Sequence, residues 1–362
     1  MSAVQRTGTA TLPLHGGRAP RWLFERMTRL AGAVMAYMAD ELGQSETIYR
    51  FADPYWFQSF GCVLGFDWHS SGVTTTTCGA VKEALKVLPG LGILAAGGKG
   101  AVSRRTPQEI EEQAHRIGLG GAEELVRASR MSAKVDNNAL QDGYQIYHHF
   151  FLFTDKGEWV VVQQGMNEGE GYARRYHWAS RGLRDFVEEP HTAICAQSRG
   201  PTMDLTSSVS RETREAMADL SRDRPEKTAA QLDRLRDLRL PRRHQLFLEH
   251  LHTSSVGKVL LKTYERQPED FATLLGMQGV GAKTLRALAL ISELVHGTAL
   301  SWEDPARYSF AHGGKDGYPY PVDRETYDRS IEIMEKAIRR SRCGIGEREE
   351  ALRRLSRLLS TP

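Results

Sequence analysis

The run Pro268-Glu-Asp-Phe-Ala-Thr-Leu-Leu-Gly-Met-Gln-Gly-Val-Gly-Ala-Lys283-Thr284 constrains the fold more than any other stretch of the chain. Leu274 and Leu275 on one side, and Leu285, Leu288, Ala289 and Ile291 on the other, recur at helical spacing. The run therefore reads as two helices joined by a tight Gly279-Val280-Gly281 turn. Such a turn presents backbone N–H groups at the start of the second helix, where the helix dipole and the unsatisfied donors make a seat for an anion. Gly279 and Gly281 allow positive φ and a close approach of backbone to ligand. Lys283 and Thr284 then lie in the first turn of the second helix, beside the docked anion. Amides and one lysine suit a DNA phosphodiester and read no base sequence.

Charge decides where other nucleic-acid contacts must be sought. The net charge of the 362 residues is only +3, so a footprint has to come from local clusters. Basic residues gather at Lys99, Arg104 and Arg105 in a glycine-rich loop, at Arg174 and Arg175, and at Arg242 and Arg243. The loop lacks the order of an ATP-binding phosphate loop. It reads either as a phosphate-gripping loop or as a plain solvated turn. The arginine clusters read equally as phosphate contacts or as solvated faces.

The chain divides near residue 200, into 1–200 and 201–362. The first part is rich in glycine, histidine and aromatic residues, and the second is helical almost throughout. The expected class is α+β: an N-terminal α/β domain with a β-hairpin or small sheet, then an all-α domain carrying the helical hairpin at 270–297. Helices are expected at 21–43, capped by Gly43, at 79–88, and from Thr106, with Glu109 closing a capping box. Residues 144–153 and 158–164 read as strands joined by Asp155-Lys-Gly157. Further helices are expected at 210–221, 226–238, 241–263, 268–276, 282–296, 324–341 and 347–359.

An unusual polar set occupies the first part. Asp67 and His69 precede Ser70-Ser71-Gly72, and His148, His149 and His177 lie on or beside the expected strands. Histidines and a carboxylate converging in space could hold a divalent metal ion for hydrolysis. The spacing matches no metal signature. A nucleic-acid surface, or histidines satisfying backbone groups beside core tryptophans, are the other readings. Cys62, Cys78, Cys195 and Cys343 form no C-x-x-C pair, so reduced, mostly buried thiols are expected rather than a zinc site or a disulfide framework. No apolar run reaches the roughly 18–20 residues of a membrane span. The amino terminus has no apolar leader core, and a cytoplasmic location is the default expectation.

The turn Gly279-Val-Gly-Ala-Lys-Thr284 resembles the helix-hairpin-helix motif, and more narrowly that of DNA glycosylases of the endonuclease III kind. The likeness extends to Pro268-Glu269-Asp270 and to Pro321-Val322-Asp323. It implies a lysine nucleophile at Lys283 with Asp323 as its carboxylate partner, acting on damaged DNA. Lys283 and Asp323 stand 40 positions apart, roughly twice the family's spacing, and the cysteine cluster often found in that family is absent. The whole chain also resembles an uncharacterised family known only as a domain of unknown function. Leu64-Gly-Phe-Asp-Trp-His-Ser-Ser-Gly72, Gln163-Gln-Gly-Met-Asn167 and Arg174-Arg-Tyr-His-Trp178 carry that likeness. The expected function is a DNA-binding repair enzyme, a glycosylase/lyase through Lys283 and Asp323. The alternatives are a metal-dependent nuclease centred on Asp67, His69 and His148, and a non-catalytic nucleic-acid-binding factor.

Overall fold

The computed structural model describes residues 19–66, 71–197, 199–236, 240, 244, 247, 251, 253–307, 324–340 and 344–360. Asp67, His69, Arg242, Arg243 and Asp323 lie outside the described residues. The class is α+β, as the sequence implies.

Three helices come first among the described residues: α1 (Arg21–Tyr49), α2 (Pro54–Leu64) and α3 (Gly72–Lys86). Gly43, expected to cap α1, instead breaks it with φ +82°, and helix resumes to Tyr49. The sequence reading passed over α2, although its start signal is strong. The Asp53 carboxylate accepts from the N–H of Tyr55 at 2.8 Å and of Trp56 at 3.2 Å, with Pro54 at the first helical position. After α3 come β1 (Ile93–Lys99), α4 (Thr106–Ile117), α5 (Ala122–Lys134) and a π-helical turn at Val135–Ala139. The capping box expected at the start of α4 is not formed. Thr106 is already helical and donates to the Ser103 carbonyl at 2.7 Å. Glu109 turns away to accept from Gly97 N–H at 2.8 Å and from Lys82 Nζ at 2.6 Å.

The strands β1, β3 (Gln145–Thr154), β4 (Trp159–Asn167), β5 (Tyr172–Ala179) and β6 (Ala193–Cys195) form one antiparallel sheet in the order β1-β3-β4-β5-β6. The expected hairpin is its centre, turning at Gly157 with φ +82°. Two short strands, β2 (Leu140–Gln141) and β7 (Met203–Asp204), pair separately, with Leu140 opposite Asp204. Because successive side chains alternate between faces, the sheet sorts its residues into two cores. Phe150, Leu152, Val160 and Val162 pack beneath α1–α3, whereas Phe151, Phe153, Trp159, Val161, Tyr176 and Trp178 pack towards the rest of the chain.

That second core takes in the helices α6 (Arg211–Arg222), α7 (Pro225–Arg236), α8 (Thr253–Arg266), α9 (Phe271–Gly276) and α10 (Ala282–His296). The last two helices, α11 (Arg324–Arg340) and α12 (Ile345–Ser360), return to the first core, where Met334, Ala337, Ile338 and Leu355 join residues of α1–α3. The faces of the sheet, rather than residue 200, organise the two cores. Each buried large apolar side chain contributes about 1.5–3 kcal/mol.

Candidate nucleic-acid interface

The helical hairpin forms where the sequence places it, with α9 and α10 joined through Met277–Gly281. Asp270 caps α9 by accepting from Thr273 N–H at 2.7 Å. Gly279 takes φ +94°, in the region that favours glycine. Val280 is buried and anchors the turn, whereas Lys283 is exposed at the start of α10. Thr284 is buried at 4 % exposure, so its side chain packs rather than contacting a ligand.

The hairpin is held by the end of α5 and the π-turn. Lys134 Nζ donates to the carbonyls of Leu275, Gly276 and Met277 at 2.7, 2.8 and 2.7 Å, closing the C-terminus of α9. Asn138 Oδ1 accepts from Ala282 N–H at 3.1 Å, taking one of the orphan donors of α10. Gln141 donates to the Ala282 carbonyl at 2.9 Å and accepts from Arg286 Nε at 2.7 Å. These side chains lie more than 130 residues before the turn in sequence, and nothing in their own pattern announces the role. The result is a turn mounted from outside by side-chain hydrogen bonds, with an exposed lysine at a helix N-terminus.

The same π-turn reaches the end of the sheet, where Asn137 Oδ1 accepts from Ile146 N–H at 3.3 Å. This end carries Tyr147 and, over its ring at 5.7 Å, the Lys99 ammonium. Lys99, Arg104 and Arg105 are all exposed, so the glycine-rich loop presents three cations to solvent. Gly97 and Gly98 both have positive φ, and Glu109 fixes the loop from beneath through Gly97 N–H.

Arg174 and Arg175 are a correction. They are 1 % and 0 % exposed and cannot reach a phosphate from their places in β5. Arg174 pairs with Asp142 at 2.9 Å and Asp304 at 2.7 Å on one face. Arg175, on the other, donates to His177 Nε2 at 2.9 Å and Gln58 Oε1 at 3.0 Å. Adjacent strand residues point to opposite faces, so this Arg-Arg pair ties the sheet to two different cores.

The histidine set is likewise divided by the pleat. His148 and His177 share the face beneath α2 and α3, while His149 faces the second core. His148 is 1 % exposed and neither ring nitrogen has a hydrogen-bond partner. Burial, with the nearby charges of His149 and Lys99, pushes it down to about 3. A neutral, enclosed imidazole is not placed for acid–base work, which corrects the catalytic role expected of His148. Among the described residues no group of three or more His, Cys, Asp or Glu side chains could hold a metal ion. Cys62, Cys78 and Cys195 are buried thiols that form no disulfide, as expected.

A second polar centre, missed in the sequence, lies on the other side of the π-turn. Asp136 is fully buried and accepts from three donors: His191 Nε2 at 2.5 Å, Gln163 Nε2 at 2.6 Å and Trp178 Nε1 at 3.0 Å. Gln163 Oε1 in turn accepts from His149 Nδ1 at 2.8 Å, which leaves His149 Nε2 to accept from the Ser129 hydroxyl at 2.9 Å. Burial pushes the Asp136 carboxyl up, and His191, Trp178 and Gln163 pull it back. His191 lines a cleft of about 70 Å³ with Glu189, Asp204, Thr206 and Arg307. Asp136 and His191 stand 55 positions apart in unremarkable strings, so only the fold brings them together.

Residues 8–322 match the model of a family described as a protein of unknown function, DUF763. The chain belongs to that family. The match covers most of the chain, including both polar centres and the hairpin, and supports the likeness to an uncharacterised family over those residues. No curated protein and no solved structure matches it. The likeness to endonuclease III-type glycosylases rests on the hairpin and Asp323 strings alone. Among the described residues no helix is long and apolar enough to cross a membrane.

Proposed function

We propose that the chain is a DNA-binding protein of the repair kind that holds duplex DNA by its phosphates through the α9–α10 hairpin. The observation that carries this reading is the mounting of the turn. Lys134, Asn138 and Gln141 fix the hairpin from outside it, while Lys283 is left exposed beside the start of α10. A binding surface held rigid in advance spends less ordering entropy on association. The exposed cations Lys99, Arg104 and Arg105 are further phosphate contacts in this reading.

Fluorescence anisotropy with undamaged and lesion-bearing duplexes tests it. Binding should weaken as salt rises, and Lys283→Ala should lower affinity by a similar factor on every sequence while reducing the salt slope by about one. Salt-independent binding, or affinity indifferent to Lys283, would count against it. Lys283 has two roles in view, and borohydride separates them. A trapped covalent adduct with abasic or damaged DNA, lost in Lys283→Ala, marks a lyase nucleophile. Binding without an adduct marks a phosphate contact, which the exposure of Lys283 favours.

A further inference from the structure

We propose that His191, backed by Asp136, is the water-activating base of a hydrolytic site for N-glycosidic bonds, with Asp204 as proton donor to the leaving base. The cleft beside the π-turn carries the parts. The Asp136 carboxylate accepts from three donors, so it fixes His191 with Nε2–H directed inward. The other ring nitrogen, Nδ1, has no hydrogen bond to the protein and is not enclosed, so it is an acceptor open to the cleft. Asp204, which also lines the cleft, is 3 % exposed. One of its oxygens takes both donors of Thr206, at 2.7 and 2.6 Å, and the other is left to the cleft. Burial raises the Asp204 carboxyl, against the pull of the Thr206 bonds, which favours the proton-donating form. Glu189 completes the rim with φ +47°, a conformation a non-glycine residue adopts only when its surroundings hold it. Its N–H donates to the Thr206 carbonyl at 2.8 Å, and Arg307 faces its carboxylate at 3.8 Å.

The acid–base parts select the reaction class. With Glu189 faced by Arg307 and Asp204 serving as the acid, the cleft holds, among the described residues, no spare cation or paired amide donors aimed at an oxyanion. It suits instead a sugar carbon that becomes positive as its bond to the leaving group lengthens. A base for water and an acid for the leaving group are the two parts that glycosidic hydrolysis needs. The preference for an N-glycosidic over an O-glycosidic bond rests on the nucleic-acid reading above. In the step, water oxygen bonds to C1′ as its proton passes to His191 Nδ1. The C1′–N bond breaks, and its electron pair stays on the base nitrogen, which takes the proton of Asp204. His191 returns its proton to Asp204 through water, leaving a free base and a sugar hydroxyl.

The π-turn joins this centre to the hairpin. Asp136 lies between Lys134 and Asn138, which hold α9 and α10. The Ala139 carbonyl accepts from Leu205 N–H at 3.1 Å, beside the pairing of Leu140 with Asp204.

The test is release of free base, measured by chromatography. The full chain is incubated with uracil-, hypoxanthine- and oxidised-base duplexes and, separately, with free nucleosides, while duplex affinity is measured in parallel. Release should fall about 100-fold or more in His191→Gln. Thermal melting of that variant establishes that it is folded. Asp136→Asn, a change at the positioning residue, should also displace the pH–rate profile, which a purely structural role would not. Release from nucleosides without duplex binding upholds the site and sinks the hairpin reading. Duplex binding with no base released from any substrate overturns the site. Release unchanged in folded His191→Gln, or lost only in Lys283→Ala, overturns it too.

Discussion

At the scale of single residues, the buried imidazoles set the response to acid. Burial lowers His148 to about 3, and lowers His149 to about 4 against the opposing bond to Gln163. The unfolded chain holds these protons more tightly, near the ordinary histidine value of about 6.5. The stabilisation from keeping both rings neutral is therefore present above about pH 6.5 and is lost as pH falls towards 4 and then 3. Urea unfolding between pH 7 and 4 should show stability falling on the order of a few kcal/mol. His148→Leu should shrink that slope. It should also raise stability at pH 7 by about 1 kcal/mol, because the ring leaves two buried nitrogens without partners. Gly97 gives the opposite case. A Cβ there would lie 2.2 Å from the His149 carbonyl oxygen and 2.6 Å from Thr106 Oγ1, at φ +89°. Gly97→Ala should cost about 3 kcal/mol or more by the same unfolding measurement, since backbone has to move.

At the scale of elements, three ties decide how the pieces are mounted. Lys134→Met keeps the length of the side chain but removes the ammonium that closes α9. It should lower stability by about 1–3 kcal/mol, the cost of leaving partly buried carbonyls unpaired. Exchange of amides in the hairpin should quicken more than exchange in the central sheet. A uniform change across the chain would mean that Lys134 is not specific to the hairpin. Asp304→Asn tests the second tie. It strips Arg174 of one of two carboxylates beneath the surface while Asp142 still balances its charge, so a loss of about 1–3 kcal/mol is expected. The third tie, Glu109 on Gly97 N–H and Lys82, shows how tertiary structure overrides a local signal. Thr106 and Glu109 have the spacing of a capping box, but a lysine from α3 and a free strand amide compete for the same carboxylate.

At the scale of the whole molecule, the legible parts are those written in short-range pattern. The central hairpin turns at Gly157, and the helices at 211–222, 225–236, 271–276, 282–296, 324–340 and 345–360 lie within a few residues of their expected bounds, whereas the helix expected at 241–263 is described only as α8, from Thr253 to Arg266. The α9–α10 turn follows from glycines and flanking leucines alone. What could not be read is what strand alternation and long-range pairing decide. Arg174-Arg175 and His148-His149 look like clusters in one dimension, yet the pleat sends each pair to opposite faces. Conversely, Lys134, Asp136, Asn138 and His191 have no local signature, because their roles come from contacts 55 to more than 140 residues away. The apparent boundary near residue 200 reflects composition, whereas the cores follow the two faces of the sheet. Backbone amide shift mapping of the full chain during titration with a short duplex tests the central claim most directly. Docking on the turn predicts that the amides of Gly281, Lys283 and Thr284 shift first and saturate with the DNA, and that Lys283→Ala weakens the titration. Saturating duplex that leaves those amides unmoved while shifting others would contradict it.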